Sequence, residues 1–261
     1  MVPAERAPDQ PAPPAGRPDP SRSENPANGR GGAQAIPRPS SFRPGGPPPW
    51  ADLTHALTRV PLAAVRAACA DLPPPRTGRG GPDTRPAAVL VPLFEEDGDT
   101  RVILTKRPTT MPSHQGEIAF PGGKYEHGLD ASLRATALRE AHEEIGLDPA
   151  AVEVAGELDH LVTVSARFAL APFVGILPGR PDLVPHPREV AAVFDVSLSE
   201  LLRDDVFREE RWDIPAEMVV GTGPDRPIHF FELEGETVWG ATARILVGFL
   251  AHLAPVVAGA T

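Results

Sequence analysis

The sequence predicts an α+β fold in which a mixed β-sheet is flanked by helices. The predicted strands outnumber the predicted helices, and they follow one another as hairpins and runs rather than in strict alternation with helices. That order is typical of a mixed or antiparallel sheet whose faces are covered by helices. We expect the fold to follow the first 50 residues of the 261-residue chain, because 14 prolines and six glycines fall within them.

By composition, the chain divides into a tail, a lead-in and a domain. Residues 1–49 contain almost no large apolar side chain before Phe42 and show no periodicity, which predicts a disordered tail. Residues 50–83 are predicted to begin with one or two short helices, interrupted at Pro61, and to end in a loop. The remaining residues, 84–257, are long enough to bury a sizeable core and constitute the predicted domain.

Elements of the domain are predicted from apolar runs, from the turn residues between them and from helix-capping residues. Strands are predicted at residues 87–94, 101–106, 117–120, 152–164, 168–177, 189–196 and 228–233. Helices are predicted at residues 130–145, 197–202 and 241–253. Ser197 is the expected N-cap of the second helix.

The charge of the chain limits its ligands. The net charge is −10, and because the tail carries +2 the rest of the chain carries −12. An acidic body argues against a nucleic-acid-binding surface, and it would repel a polyphosphate unless cations lay between them. No uninterrupted apolar run reaches the roughly 18 residues of a membrane span, and the single Cys69 rules out an intrachain disulfide. We therefore expect a cytoplasmic protein that binds neither nucleic acid nor a membrane.

Three glutamates lie within about one turn of the helix predicted at residues 130–145. At 100° per residue, Glu140, Glu143 and Glu144 occupy one face within about 100°. Each pair at ~6 Å would repel by roughly 0.7–2.8 kcal/mol at an effective dielectric constant of 20–80. The cluster is either a solvated acidic face or a metal site, because Mg²⁺ and Mn²⁺ bind clustered oxygen ligands.

Gly122 and Gly123 follow the short strand predicted at residues 117–120 and the stiffening residue Pro121. Glycines allow backbone conformations with positive φ and a close approach of a ligand to the backbone. Alone, a Pro-Gly-Gly segment is only a turn, but here one short loop connects it to the acidic helix. This connection predicts that backbone groups of the two glycines lie beside the carboxylates.

Together, these two segments resemble the Nudix box. Residues 139–147 (REAHEEIGL) match the family pattern except for one small residue at an apolar position, and residues 120–123 (FPGG) strengthen the match. The loop is longer than in the pattern, with a step of 16 residues from Gly123 to Arg139 in place of 14. Asp130 stands nearest to the glutamate that the pattern places in this loop. We interpret Asp130 as an N-cap and leave it out of the metal set.

The resemblance implies an α/β/α sandwich that hydrolyses a nucleoside diphosphate linked to another moiety. It implies Mg²⁺ or Mn²⁺ ions held by Glu140, Glu143 and Glu144, which would neutralise charge on the leaving oxygen. Glu143, Glu144 and Arg139 are the expected catalytic residues, with Arg139 orienting a glutamate through a charge-assisted hydrogen bond. Which of the coupled carboxylates is the base stays open. Domains of this kind commonly form homodimers.

A second set of residues resembles the coenzyme A pyrophosphatase branch of that family. Arg107, Gly116 and residues 120–123 match its upstream motif, and residues 239–243 (WGATA) match the opening of its last helix. The branch implies cleavage of coenzyme A or acyl-coenzyme A to 3′,5′-ADP and a phosphopantetheine. Pro112 stands where the motif has an arginine, which keeps open the same chemistry on ADP-ribose, NADH or nucleoside triphosphates.

Residues around the box complete the candidate site. Gly122, Gly123, Arg107 and Arg167 are expected to bind the nucleotide substrate, the two arginines through its phosphates. Glu189 is a secondary candidate, because related enzymes often place another acidic group at the start of this strand.

Two functions of other classes also stay open. One is a nucleotide-sensing Nudix module without catalysis, which would be expected to have lost carboxylates of the box. The other is docking of a partner domain on the prolines at residues 47–49.

Overall fold

The computed structural model describes residues 29–77, 80–111, 114–163, 167–213 and 225–259. Its strands are β1 (Gly31–Gly32), β2 (Phe42–Pro44), β3 (Arg85–Glu96), β4 (Asp99–Lys106), β5 (Ile118–Ala119), β6 (Gly122–Lys124), β7 (Glu153–Glu157), β8 (Leu161–Val162), β9 (Phe168–Ile176), β10 (Ala192–Ser197), β11 (Phe207–Asp213), β12 (Asp225–Glu232), β13 (Glu234–Gly235) and β14 (Thr237–Trp239). Its helices are α1 (Leu62–Ala70), α2 (Leu133–Ile145), α3 (Leu198–Leu201) and α4 (Gly240–Gly259), with 3₁₀ segments at Ala51–Ala56 and Pro149–Ala151.

A mixed sheet with the strand order β10-β4-β3-β9-β7 forms the centre of the fold. Strands β3 and β9 are parallel, whereas the other neighbours along this order are antiparallel. Short strands extend the sheet, because β5 pairs with β4, β6 with β3 and β8 with β9. Strand β3 therefore lies at the centre of the sheet and also borders the short strand that carries the two glycines.

Strand β3 supplies both halves of the hydrophobic core, because successive side chains of a strand point to opposite faces. Leu90 and Phe94 belong to one buried cluster with Ala141 of α2. Val91 and Leu93 belong to the other, which includes residues of α1 and α4. Helices thus cover both faces of a mixed sheet, which confirms the predicted α+β fold.

A second sheet, with the order β14-β12-β11-β2, is antiparallel and joins the N-terminal segment to the C-terminal half. Strand β11 is absent from the strands predicted from the sequence, because its residues (FREERWD) are mostly charged. The structure buries Glu210 of this strand against Arg38, at 3.0 Å, and also pairs it with Arg208. Ion pairing within the fold therefore permits a strand that the hydropathy pattern does not reveal.

The packing of residues 29–49 on the domain corrects the predicted extent of the disordered tail. Ile36 is fully buried in a cluster with Trp212 and Phe230, and β2 pairs with β11. The composition of this segment could not reveal this packing, because its partners lie at the other end of the sequence. Residues 1–28 lie outside the described residues, and for them the disordered tail stays a prediction.

Several predicted boundaries also change. The strand predicted at residues 152–164 is divided into β7 and β8, and residue 164 lies outside the described residues. The strand predicted at residues 189–196 begins only at Ala192. Ser197 is confirmed as an N-cap, because its side-chain oxygen accepts a hydrogen bond of 3.1 Å from the Glu200 backbone N–H.

Helix α4 is long and apolar enough to cross a membrane by length and composition, and it is the one such helix among the described residues. More than half of its most apolar window, 56%, is buried inside the fold. Leu246 and Leu250, which are fully buried, contribute to the cluster on one face of the central sheet. Core helices of soluble proteins share this length and composition, so α4 is weak evidence for a membrane span.

The packing of Ile36 predicts that the N-terminal segment stabilises the domain. Truncation of Ile36 to alanine removes buried methyl groups and leaves a cavity, so we expect Ile36→Ala to lower the free energy of unfolding by roughly 2–5 kcal/mol. Urea unfolding followed by circular dichroism measures this loss. Leu129, which is 61% exposed, gives the control Leu129→Ala, expected to change stability by no more than about 0.5 kcal/mol. Equal stability of the two variants would contradict the packing.

Candidate active site

The two glycines of β6 lie where no side chain fits. Strand β6 pairs with β3 so that Gly122 lies opposite Val89 and Gly123 opposite Ala88. A Cβ atom at Gly122 would overlap the backbone of β3, and one at Gly123 would overlap the carboxyl group of Glu140. Gly122 therefore requires glycine, whereas at Gly123 a side chain would have to displace the carboxyl group of Glu140 from α2.

Glu144 is held against this glycine bend. Its side chain is buried, with 6% of the residue exposed, and its Oε2 accepts a hydrogen bond of 3.2 Å from the Gly122 backbone N–H. Burial raises the pKa of Glu144 to about 7, and the negative charges of Glu140 and Glu189 add to the rise. The Gly122 N–H and the charge of Arg107 act in the opposite direction. The effect of burial on the Glu144 carboxylate therefore outweighs those of the Gly122 N–H and Arg107.

Glu140 shares these surroundings. Burial raises its pKa, the adjacent charge and hydrogen bond of Arg139 oppose the rise, and the charges of Glu143 and Glu189 add to it. Glu189 therefore acts electrostatically on both buried carboxylates, although its own side chain is half exposed. The structure places this secondary candidate near the two glutamates.

Glu143 differs from the other two glutamates of the box. Its side chain is 53% exposed, and its Oε2 lies 2.8 Å from the guanidinium of Arg139. Glu140 and Glu144 converge on the glycine bend, whereas Glu143 extends from the same helix face toward solvent. The helical arithmetic placed the three residues on one face, but it could not show how the side chains divide between the bend and the solvent.

Arg139 is the centre of an ion-pair network. Its Nε donates to Asp130 at 2.8 Å, and a terminal nitrogen lies 3.0 Å both from Asp130 and from Glu140. The same nitrogen donates to the backbone carbonyl of Lys124 at 3.3 Å. Together with its contact to Glu143, these bonds fix Arg139 between the loop after β6 and the face of α2.

The structure corrects the interpretation of Asp130 as an N-cap. Helix α2 begins at Leu133, and the N-cap is Ser132, whose side chain accepts from Ala135 N at 3.1 Å. The Asp130 side chain is only 2% exposed and accepts hydrogen bonds from Arg139, from the Thr136 hydroxyl and from the Glu126 backbone N–H. The Arg139 hydrogen bonds hold the pKa of Asp130 well below its usual range. Asp130 thus fixes the arginine of the box.

The two arginines predicted to bind substrate lie in different places. Arg107 lies close enough to Glu144 to lower its pKa, and its Nε is buried without a hydrogen-bond partner within the described residues. Arg167 instead lines a cleft beside β6, with Arg85 and Lys124. The sequence analysis did not identify Arg85 or Lys124 as site residues. For Lys124, its position directly after the two glycines was a usable signal, whereas Arg85 had none. Pro112 lies outside the described residues.

The comparisons with known proteins agree with this geometry. The family model described as the NUDIX domain matches residues 84–219, which is about half of the chain. The chain is 43% identical over 169 residues to Nudix hydrolase 22, chloroplastic, of Arabidopsis thaliana, covering 62% of this chain and 53% of that protein. It is 41% identical over 174 residues to an uncharacterized Nudix hydrolase, NudL, of Enterobacter sp. (strain 638), covering 66% of this chain and 84% of that protein.

The chain therefore belongs to the Nudix hydrolase family. It spans about half the length of the plant relative, 53%. Among solved structures, a MutT/nudix family protein from Enterococcus faecalis is similar with a TM-score of 0.42 and 16% identity, over 76% of this chain and 71% of that chain. A TM-score of this size supports no conclusion about this chain.

Nudix hydrolases generally use divalent metal ions, and the carboxylates of the buried Glu144 and the partly buried Glu140 fit such an ion. No three His, Cys, Asp or Glu side chains within the described ranges are arranged to enclose a metal. Mg²⁺, however, is commonly bound by one or two carboxylates and completed by waters and substrate phosphates. Glu140 and Glu144 supply hard oxygen donors, and a cation would stabilise their charged forms, which burial chiefly and neighbouring carboxylates to a lesser extent disfavour.

The network of Arg139 predicts that Asp130 supports the fold. We expect Asp130→Asn to lower the free energy of unfolding at pH 7 by roughly 3–5 kcal/mol, because it leaves a largely buried guanidinium without its main anion. The pKa of Asp130 is lowered in the fold, so this contribution is complete above about pH 4 and is lost as the pH falls further. Urea unfolding of both proteins at pH 7 and in acid measures the difference.

The exposed Asp182 gives the matched control, since Asp182→Asn removes the same charge without a comparable partner. The ion-pair account would be contradicted if Asp130→Asn lowered the free energy of unfolding as much in acid as it does at pH 7.

Proposed function

We propose that this chain is a divalent-metal-dependent pyrophosphohydrolase that cleaves coenzyme A or acyl-coenzyme A to 3′,5′-ADP and a phosphopantetheine. The observation that supports it best is the pair of carboxylates, the buried Glu144 and the partly buried Glu140, held beside the bend at Gly122 and Gly123. Carboxylates with raised pKa values beside a backbone that excludes side chains favour a cation and a closely approaching anion.

In this proposal Glu140 and Glu144 hold the metal, and Glu143 and Glu189 add negative charge around it. A bound Mg²⁺ or Mn²⁺ supplies Lewis acidity, so that it stabilises charge on the pyrophosphate oxygens and lowers the pKa of a bound water. We assign uptake of the proton from the attacking water to the coupled carboxylates together rather than to one of them, because each influences the pKa of the others.

The cationic residues of the chain position the reacting groups. Arg139 orients Glu140 and Glu143 through direct contacts and is itself fixed by Asp130. Arg107 lies near Glu144 with its buried Nε available, and we assign it to a phosphate oxygen of the diphosphate. In this proposal the diphosphate lies near the glycine bend, where Arg107 and a cation held by Glu140 and Glu144 would contact its oxygens.

The choice of coenzyme A rests on the residues that match that branch of the family. Arg107 and the segment 120–123 of its upstream motif lie at the site, and residues 239–243 span the end of β14 and the start of α4. The net charge of −10 supports a small nucleotide rather than a nucleic acid as the ligand. We also propose that the protein acts in the cytoplasm.

A substrate panel tests the proposed activity. Purified full-length chain with Mg²⁺ or Mn²⁺ should release 3′,5′-ADP from coenzyme A, as measured by chromatography of the products. Addition of excess EDTA should abolish the release, and readdition of the metal should restore it. Faster turnover of ADP-ribose, NADH or a nucleoside triphosphate would overturn the substrate, and no turnover of any of them would overturn the activity.

Substitution of the carboxylates tests their roles. We expect Glu144→Gln and Glu140→Gln to lower kcat roughly 100-fold or more, because each removes an anionic oxygen donor at the proposed cation site. Glu143→Gln should also lower kcat, since it removes a candidate base and a contact of Arg139. Chromatography of the released 3′,5′-ADP measures the rates, and circular dichroism confirms the fold.

The exposed Glu234 of β13 provides the matched control, and Glu234→Gln should leave kcat unchanged. Wild-type turnover in a folded Glu144→Gln protein would remove Glu144 from the mechanism.

A further inference from the structure

A cleft of about 310 Å³ opens directly beside the candidate active site. Three cationic side chains, one aromatic ring and one acid line it, namely Arg85, Lys124, Arg167, Phe168 and Asp83. We call this the basic cleft. The Nudix-box residues on α2 do not line it, so it is an adjoining feature of the surface rather than the site of the carboxylates.

The topology of the central sheet brings these residues together. Arg85 and Phe168 begin the parallel neighbours β3 and β9 and lie opposite each other. The Arg85 backbone N–H donates to the Arg167 carbonyl at 2.8 Å, so the two arginines are adjacent. Lys124 ends β6 opposite Ala87, two residues along β3 from Arg85. The three cations thus share one edge of the sheet.

The basic cleft is within reach of a ligand held at the glycine bend. Lys124 directly follows Gly123, and its carbonyl accepts a hydrogen bond from Arg139 of the box. Gly123 lies opposite Ala88, and Arg85 is three residues along β3 from Ala88, which is about 10 Å of strand. Because side chains three residues apart on a strand point to opposite faces, a nucleoside attached to a diphosphate at the bend would reach the cleft around the start of β3 rather than across one face of the sheet.

The charge of the basic cleft contrasts with that of the whole chain. The net charge of the protein is −10, yet the lining carries three positive charges and one negative charge, that of Asp83. Within the described part of the chain, neither Arg85, Lys124 nor Arg167 forms a salt bridge, whereas Arg139, Arg180 and Arg208 each pair with two or more carboxylates. The cations of the cleft therefore keep their charge available for an anionic ligand.

Phe168 gives the cleft an apolar face beside these charges. The Lys124 ammonium lies 5.8 Å from the centroid of the Phe168 ring, within the range of a cation–π contact. A partly exposed aromatic ring next to cations suits a planar base that carries a phosphate nearby.

We propose that the basic cleft binds a phosphomonoester on the nucleoside part of the substrate, outside the diphosphate that is cleaved. The cleft thereby selects nucleotides that carry this additional phosphate, with Arg85, Lys124 and Arg167 as its contacts and Phe168 beside the base. This inference rests on the proposed function, because it assigns the diphosphate to the glycine bend.

Binding of two small nucleotides to the full-length chain tests the inference without turnover. Isothermal titration calorimetry should give 3′,5′-ADP at least a tenfold lower Kd than 5′-AMP, because only the former carries a phosphomonoester for the cleft. The preference should shrink as the salt concentration rises. Equal Kd values for the two nucleotides, or no binding of either, would overturn the inference.

Variants of the cleft locate the effect. Lys124→Ala and Arg167→Ala should each raise the Kd of 3′,5′-ADP about tenfold and leave that of 5′-AMP within about twofold. Both side chains are exposed, and Lys124→Gln keeps a side chain of similar length if the alanine variant unfolds. Arg203→Ala, which removes an exposed arginine paired with Asp205, is the matched control and should change neither Kd. An equal loss for both nucleotides in the cleft variants would contradict a phosphomonoester contact.

Kinetics separate this inference from the proposed function. If the chain hydrolyses coenzyme A and its dephospho form with the same KM, the basic cleft is wrongly assigned while the hydrolase activity stands. If no substrate of the panel is cleaved but 3′,5′-ADP still binds in preference to 5′-AMP, the activity fails and the cleft stands.

Discussion

The hydrogen bond from the Gly122 backbone N–H to the carboxylate of Glu144 is the contact on which the arrangement of the site depends. It joins β6 to α2 at a point where a side chain on the glycine would overlap β3. Glu144 is buried, so without this donor its oxygen would lose a partner at a cost of about 1–3 kcal/mol. The glycine, the strand pairing and the acidic helix therefore require one another.

Arg139 and Asp130 extend this constraint to the loop between β6 and α2. A guanidinium can hold several carboxylates in a fixed plane, and here it contacts Asp130, Glu140 and Glu143. Asp130 is the most buried of the three, and its pKa is the one held far below the usual range. Asp130 thus orients the box arginine, whose terminal nitrogen also contacts Glu140. Arg139 holds the Glu140 side chain in place but does not fully offset the effect of burial, which still raises the pKa of Glu140.

The sequence predicted those features that depend on local spacing. The face of α2 that carries the glutamates, the glycine bend and the Ser197 N-cap all follow from residues within one turn or one loop. Features that depend on distant partners were missed or misread. Ile36 and β2 are ordered by residues near the C-terminus, β11 is stabilised by ion pairs, and Asp130 is close to a capping position but pairs with Arg139 instead. Arg85 and Lys124 meet only because β3 pairs with both β6 and β9.

The distribution of charge explains how an acidic protein can bind a polyanion. In the proposed mechanism the carboxylates at the glycine bend contact phosphate only through cations, and this part of the site gains affinity only as metal is supplied. The basic cleft would need no such mediator, because three of the five residues that line it are cations. The diphosphate would therefore be bound through a metal, and the phosphomonoester directly by cationic side chains. If the substrate were reversed, the phosphomonoester would lie against the carboxylates without a metal between them. Under the proposal, this asymmetry would set the direction of the nucleotide along β3, with its diphosphate at α2 and its nucleoside at the start of β9.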